Sequence, residues 1–399
     1  MPRDENKNSP RETTWCGSPP ECGWPDVPPA VAPASSSPFL WPLVLAAAAN
    51  EAAASCFNEF VHALVTNEAE PRSAPEPQWT TPHRVVMELQ SLQLRDFSCG
   101  SDGVPALVCA PFALHAATVA DFAPGHSLVE TLRNAGLNRV FVAEWRSATP
   151  EMRFLSIDNY LADLNVAVDE IGSPVDLIGL CQGGWMALVY AARFPAKVRR
   201  LVLAGAPIDL HAGESAVSRM AADVPLAIFD EVVRLGDGRI LGDRALDLWG
   251  PVLDSEGTER VLELPSGLNA AQSRDLQKRF REWYAWTVNL PGTYYLQVVR
   301  WLFKENQIAA GRFVALGRTI DLAEVKMPVF LLAARDDQVV SPDQLLACAD
   351  LVGTPKNAIE TMVEPCGHLS LFIGAQTLRR TWPKIAQWLR RDAIAAAAA

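Results

Sequence analysis

The sequence predicts an α/β fold, in which a doubly wound, mostly parallel sheet carries a helical cap insertion. Two observations lead to this fold class. Short apolar runs alternate with amphipathic helical stretches from residue 84 onwards, and one connection, residues 208–325, is far longer than the others. Regular alternation of strand and helix is typical of right-handed βαβ units, which build a parallel sheet with helices on both faces.

The predicted strands are short, continuous apolar runs, which are typical of strands buried on both faces of a parallel sheet. The stretches between them are amphipathic; Ile157, Leu161 and Leu164, for example, recur at helical spacing. The apolar runs span residues 105–110, 139–145, 175–180, 200–206, 328–334 and 358–364.

The long connection, residues 208–325, has helical character and many aromatic residues. A structureless loop of this length is implausible inside a compact domain. We therefore predict a helical cap over the carboxyl edge of the sheet, where ligands bind in open α/β sheets. The cap divides the core into residues 84–207 and 326–391.

The two ends of the chain differ from the core. Residues 1–37 are rich in Pro, Ser and charge, a composition that cannot bury enough apolar surface to fold, so we predict disorder. Residues 38–83 are predicted to form an N-terminal helix and a linker, and residues 392–399 an Ala-rich tail that frays. The N-terminus lacks the pattern of a secretory signal and no apolar run is long enough to span a bilayer, so the predicted location is cytoplasmic.

Composition excludes several classes of function. The net charge of −11 argues against a general role in binding nucleic acid. The eight cysteines contain no CxxC pair, which argues against a zinc site, and free thiols suit a reducing compartment. The sequence carries no nucleotide, flavin or metal motif, so no cofactor is predicted.

The strongest functional signal is GLCQGG, residues 179–184, between a predicted strand and a predicted helix. It follows the G-x-S-x-G pattern of a nucleophile elbow, with Cys181 in place of Ser, and so indicates an α/β-hydrolase fold. Glycines relieve crowding at such a turn, and the helix N-terminus favours a thiolate. The alternative is a buried structural cysteine in a Gly-rich turn; the flanking strand, helix and glycines favour the nucleophile.

In this fold an acid and a histidine follow the nucleophile along the chain. Asp336 and Asp337 both follow the run at 328–334; we favour Asp337 as the acid and expect Asp336 to be solvated or to cap a turn. His368 follows the last apolar run, so we predict that it takes the Cys181 proton while Asp337 fixes its tautomer. Three other histidines lie outside this order, namely His62, His83 and His211.

Two backbone N–H groups are candidates for an oxyanion hole. That of Gln182 directly follows the nucleophile. The second is expected from the loop after the run at 105–110, near Phe112 or Ala113. His115 and His126 also lie in or near this loop, and we expect both to be surface or hydrogen-bonded residues rather than catalytic ones.

At these residues the chain resembles the polyhydroxyalkanoate synthase and depolymerase branch of the α/β hydrolases. GLCQGG, followed by ALVYAARFPAKVRRLVLAGAPIDL, resembles the lipase-like box of the synthases, and CGHLSLFIGAQTLRRTWPKIAQWL resembles the family's His-containing end. The resemblance covers residues 84–390 and implies Cys181 as nucleophile, Asp337 as acid and His368 as base. Trp185 stands where we expect a smaller residue in the synthases, and we expect it to pack under the helix rather than to narrow the pocket.

The resemblance implies an acyltransferase that moves 3-hydroxyacyl groups from coenzyme A to Cys181 and then to a hydroxyl acceptor. A depolymerase, or another ester or thioester hydrolase with the same triad, is the alternative, and a non-catalytic granule-associated or scaffold protein is a third. The implied partners are acyl-CoA, or a hydroxyalkanoate ester or polymer, and a polymer granule surface. Assembly as a homo-oligomer or with a partner subunit stays open.

Overall fold

A computed structural model describes residues 74–249, 255–264 and 268–397 of the chain. The predictions for residues 1–37, and for residues 38–83 up to residue 73, lie outside the described residues. None of the described helices is long and apolar enough to cross a membrane.

The core is one eight-stranded sheet with the order β1-β2-β4-β3-β5-β6-β7-β8. Strands β3 to β8 pair in parallel, whereas β1 pairs with β2, and β2 with β4, in antiparallel fashion. The predicted α/β class with a mostly parallel sheet is thus confirmed. The strands are β1 (Arg84–Glu88), β2 (Leu92–Asp96), β3 (Ala106–Cys109), β4 (Val140–Trp145), β5 (Val175–Leu180), β6 (Val198–Ala204), β7 (Val329–Ala334) and β8 (Ile359–Glu364).

Burial explains which strands the sequence predicts. Every residue of β5 and β7 is buried, because helices cover both faces of these central strands. Strand β8 lies at one edge and is only partly buried. At the other edge, β1 and β2 carry Arg, Gln, Glu and Asp among their apolar residues and were not predicted, because they lack a continuous apolar run.

Helices cover both faces of the sheet and fill the long connection. The helices are α1 (Leu128–Asn134), α2 (Ile157–Ile171), α3 (Gln182–Arg193), α4 (Ala216–Asp223), α5 (Leu226–Leu235), α6 (Gly242–Trp249), α7 (Ser255–Leu262), α8 (Ala270–Ala285), α9 (Gly292–Gln297), α10 (Pro342–Leu346), α11 (Cys348–Leu351), α12 (Ser370–Ile373), α13 (Ala375–Arg380) and α14 (Trp382–Ala397).

Two hydrophobic clusters form the core, one on each face of the sheet. Successive residues of β7 point to opposite faces, so Leu331 joins the cluster that contains Leu164 of α2, and Leu332 joins the cluster that contains Leu132 of α1. Helix α2 buries Leu161 and Leu164 as its spacing predicts. It begins with a capping box, in which the Ser156 N–H donates to Asn159 Oδ1 at 2.8 Å.

The segment between β6 and β7 contains helices α4 to α9 and a π-helical turn at Val298–Lys304. The segment also contains two short antiparallel ribbons. One pairs Arg239–Ile240 with Leu290–Pro291, and the other pairs Val314–Ala315 with Arg318–Thr319. The long connection is therefore helical over most of its described length.

Residues before β1 and after Arg391 also belong to the described fold. Asp121 is fully buried, and its Oδ2 accepts the backbone N–H groups of Thr80 and Thr81 at 2.7 Å each. Its Oδ1 accepts the hydroxyls of Thr81 at 2.7 Å and Ser127 at 2.5 Å. At the other end, α14 continues to Ala397 through the segment predicted as a tail, in keeping with the high helix propensity of alanine.

Candidate active site

Cys181 occupies a tight turn between β5 and α3. Its backbone angles are φ 48° and ψ −118°, a region that is rare and strained for any residue with a side chain. The Cys181 N–H donates to the Ala204 carbonyl at 2.9 Å, and its own carbonyl accepts the Gly184 N–H at 2.8 Å. These bonds hold the strained turn in place at the carboxyl end of the sheet.

The glycines around Cys181 are required by close packing. A Cβ on Gly183 would lie 2.2 Å from the Cys109 carbonyl oxygen, and one on Gly184 would lie 2.3 Å from the Ala206 Cβ. A Cβ on Gly179 would lie 2.5 Å from the Gly184 Cα. Helix α3 can therefore approach the strands, and present the side chain of Cys181 above them, only because these positions lack side chains.

The turn after β7 carries the acid that the sequence favours. Asp337 is buried, and its Oδ1 accepts the backbone N–H groups of Val339 and Val340, each at 2.8 Å. Its Oδ2 lies 2.6 Å from the Nδ1 of His368, which follows β8. The neighbouring Asp336 is exposed. Geometry thus pairs His368 with the second of the two carboxylates.

The cysteine also influences the imidazole of His368. Burial lowers the pKa of His368, but the Asp337 carboxylate, which also hydrogen-bonds the imidazole, and the Cys181 side chain outweigh burial and hold that pKa well above its ordinary value. Since Nδ1 faces Asp337, Nε2 is the nitrogen left for the thiol. The structure therefore brings together the three residues whose roles were predicted from chain order.

Gly205 is a supporting residue that the sequence analysis missed. It follows β6 with φ 55°, and a Cβ at this position would lie 3.1 Å from Cε1 of His368. A side chain here would be strained at this φ and would press against the imidazole of His368. The signal was a lone glycine near the end of the apolar run at 200–206, which is hard to interpret without knowing that His368 returns to this point.

The two candidate oxyanion donors differ in their surroundings. The backbone N–H of Gln182 is the first N–H of α3. The side-chain Oε1 of Gln182 accepts the Trp185 indole N–H at 2.7 Å. Ala113 is half-buried in the loop after β3. Neither backbone N–H has an acceptor within the described ranges. Trp185 is fully buried and packs against Phe313, so it supports α3 from below, as expected.

Other described histidines have different environments. The His126 Nδ1 lies 2.8 Å from the Ile373 carbonyl, and the His83 Nδ1 lies 3.0 Å from the Thr81 carbonyl. His211 is exposed, whereas the ring of His115 packs against aromatic side chains of the long insertion. Within residues 74–249, 255–264 and 268–397, no group of three or more His, Cys, Asp or Glu side chains could hold a metal ion.

The insertion reaches the environment of the nucleophile. Tyr294, at the start of α9, is almost fully buried, and its ring lies 5.0 Å from that of Phe112 in the loop after β3. Burial first, and then nearby groups that include Tyr160 and Cys181, raise the pKa of Tyr294 well above its ordinary range. Cys181 and His368 are only 8% and 9% exposed. The side chains of Cys181 and His368 therefore have little contact with bulk water.

Comparison with known proteins agrees with this architecture. A family model described as the alpha/beta hydrolase fold matches residues 143–375. A poly(3-hydroxyalkanoate) polymerase subunit from Synechocystis sp. is 29% identical over 303 residues, which are 72% of this chain and 76% of that protein. A subunit of the same description from Haloferax mediterranei is 24% identical over 321 residues, 77% of this chain and 63% of that protein. The predicted resemblance to the polyhydroxyalkanoate branch is confirmed.

Among solved structures, a Bacillus megaterium epoxide hydrolase in complex with an inhibitor aligns with a TM-score of 0.50 and 15% identity. The alignment covers 77% of this chain and 98% of the hydrolase. At this level of identity the likeness concerns the fold alone.

Proposed function

The chain belongs to the alpha/beta hydrolase fold family, and we propose that it is an acyltransferase of polyhydroxyalkanoate synthase type with Cys181 as its nucleophile. The observation that carries this proposal is the position of the His368 imidazole, whose Nδ1 lies 2.6 Å from Asp337 Oδ2 and whose pKa is raised by both Asp337 and Cys181. The similarity to poly(3-hydroxyalkanoate) polymerase subunits supports the choice of an acyl-transfer reaction.

In the first step, the Cys181 sulfur attacks the thioester carbonyl of a 3-hydroxyacyl-CoA after His368 takes the thiol proton. The carbon–sulfur bond to CoA then breaks, and the imidazolium returns the proton to the CoA thiolate. One thioester replaces another, so the exchange is close to thermoneutral. Asp337 keeps the proton on Nδ1 of His368 and stabilises the imidazolium while it exists.

In the second step, the hydroxyl of an acceptor attacks the acyl group on Cys181, and His368 accepts the hydroxyl proton. An ester bond forms, the bond to sulfur breaks, and the proton passes to the departing thiolate. The limited exposure of Cys181 supports transfer to an alcohol over hydrolysis, because bulk water has little access to the thioester.

The backbone N–H groups of Gln182 and Ala113 are proposed as donors to the oxyanion in both steps. Negative charge develops on the carbonyl oxygen as the sulfur or hydroxyl attacks, and preorganised N–H groups stabilise it. The absence of an acceptor for either N–H in the described chain supports this assignment. A cytoplasmic location, association with polymer granules, and assembly with itself or with a partner subunit stay predictions.

The test is incubation of the full chain with 3-hydroxybutyryl-CoA, with chromatographic detection of CoA, free acid and polymer. We expect CoA release, polymer and an acyl adduct on the Cys181 peptide by mass spectrometry. Cys181→Ala should abolish all three. Cys348→Ala is the matched control, because Cys348 is also buried but packs in the hydrophobic cluster of the α2 face. CoA and free acid without polymer would replace the synthase proposal with a hydrolase; turnover retained in Cys181→Ala would reject both.

A further inference from the structure

Residues 283–288 of the insertion run beside the loop that follows β3. The Val288 N–H donates to the Leu114 carbonyl at 2.8 Å, and His115 and Thr287 form an antiparallel β-bridge. Leu114 directly follows Ala113, whose N–H is a proposed oxyanion donor. The loop that carries this N–H is thus hydrogen-bonded to the insertion.

The side chain of His115 strengthens this connection. Its ring centroid lies 4.8 Å from that of Trp283 and 4.6 Å from that of Tyr284, with interplanar angles of 36° and 37°. Both aromatic residues come from the end of α8, so the imidazole packs against two consecutive rings of the insertion. Trp283 itself is almost fully buried and packs against Phe280 and Phe122, which fixes the surface that His115 meets.

The imidazole of His115 is neutral under ordinary conditions. Burial lowers its pKa to about 4, against the opposing effect of a hydrogen bond with the backbone of Trp286. Its Nδ1 is buried and has no hydrogen-bond partner in the described part of the chain. His115 therefore acts here as a neutral, aromatic packing residue and not as a surface charge.

We propose that His115 is a positioning residue that couples the insertion to the oxyanion hole. Packing of its ring on Trp283 and Tyr284 holds the loop after β3 where the Ala113 N–H points at the reacting carbonyl oxygen. The donor is consequently in place only while the insertion is seated over Cys181. This inference rests on the proposed acyl transfer at Cys181. Displacements of about 1 Å are enough to weaken such a donor substantially.

Two reactions of the same thiol separate positioning from a general structural effect. Acylation of Cys181 by 3-hydroxybutyryl-CoA passes through an oxyanion, whereas alkylation by iodoacetamide displaces iodide and forms none. Both rates are measured by mass spectrometry of the Cys181 peptide, because Cys99 is an exposed thiol that will also react. We expect His115→Ala to slow acylation about 10–100-fold, since loss of a complete oxyanion donor costs about 10²–10³-fold. Alkylation should be unchanged or faster.

Matched variants identify the interaction responsible. His115→Phe keeps a ring against Trp283 and Tyr284 and should restore acylation to within about threefold of wild type. His115→Gln lacks the ring, should behave like His115→Ala, and replaces it if the alanine variant does not fold. His83→Ala is the control, because His83 also packs against aromatic rings, those of Trp79 and Phe97, in the segment at β1 and β2. It should leave both rates unchanged.

Three results would overturn the inference: acylation unaffected in His115→Ala and His115→Gln, equal slowing of acylation and alkylation, or a phenylalanine variant as slow as the alanine one. Failure of the proposed function gives a different result. The wild-type chain would then form no acyl adduct on Cys181, whatever residue stands at position 115.

Discussion

Replacement of Asp337 by Asn tests how the carboxylate controls His368. Asp337 Oδ1 accepts two backbone N–H groups, from Val339 and Val340, so in the Asp337→Asn variant the amide oxygen of the new side chain has to take that position. The amide NH₂ then replaces Oδ2, 2.6 Å from Nδ1 of His368. A donor in this place forces Nδ1 to become an acceptor and puts the proton on Nε2, which can no longer accept the proton of Cys181.

The size of the effect follows from the lost charge. Two unit charges about 4 Å apart interact by about 4 kcal/mol at an effective dielectric constant of about 20. That energy corresponds to about three powers of ten in rate, and relaxation of the turn reduces it, so we expect acylation of Cys181 to slow about 10²–10³-fold. The pKa of His368 should fall as well, because Asp337 is a main cause of its elevation and burial opposes it.

The assay is single-turnover acylation of Cys181 by 3-hydroxybutyryl-CoA over a range of pH, with the imidazole of His368 titrated by NMR. The acylation rate of the variant should continue to rise with pH, because solvent hydroxide has to remove the thiol proton. Asp336→Asn is the control and should match wild type, since Asp336 is exposed. An Asp337→Asn rate within about threefold of wild type, or an unchanged His368 pKa, would refute the reasoning.

Three further predictions concern the supports of the site. Gly184→Ala should lower the free energy of unfolding by about 1–3 kcal/mol and slow acylation, because its Cβ would lie 2.3 Å from the Ala206 Cβ; urea unfolding checks the first effect. Trp185→Ala should lower the free energy of unfolding by about 3–5 kcal/mol in the same assay, because it empties a fully buried position. Trp185→Phe should lower it by only about 1 kcal/mol, because this variant loses the hydrogen bond to Gln182. His115 has a folded pKa of about 4, below its ordinary 6.5. Its contribution to the free energy of unfolding is therefore present above pH 6.5 and is lost as the pH falls towards 4. The decline in the free energy of unfolding over this window should be smaller in His115→Phe.

The central strands and the order of the site residues could be predicted because local chemistry dictates them. A strand buried on both faces has to be continuously apolar, as in β5 and β7. A nucleophile elbow needs glycines around Cys181, and Asp337 could be favoured over Asp336 because it directly precedes the segment QVV at 338–340. These features follow from neighbours along the chain, so a single sequence carries them.

Features that depend on distant parts of the chain could not be predicted. Strand β1 pairs in antiparallel fashion with β2, and β2 with β4; both β1 and β2 carry polar residues among the apolar ones, so no apolar run marks them. The role of Gly205 depends on the return of His368 from residues far along the sequence. The aromatic contacts of His115 depend equally on where α8 ends. In each case the residue that explains the feature is distant in the sequence, and only tertiary packing brings it close.

The carboxylate of Asp121 determines where the catalytic unit can be cut or fused. Three of its four hydrogen bonds come from Thr80 and Thr81, upstream of the first strand. A truncation at residue 84, the boundary that apolar patterning suggests, would leave this carboxylate, which is fully buried in the intact structure, with the Ser127 hydroxyl as its one remaining partner among these bonds. Such a charge is strongly destabilising. Grafts, fusions and shortened versions of this protein therefore need to retain the residues from Thr80 onwards.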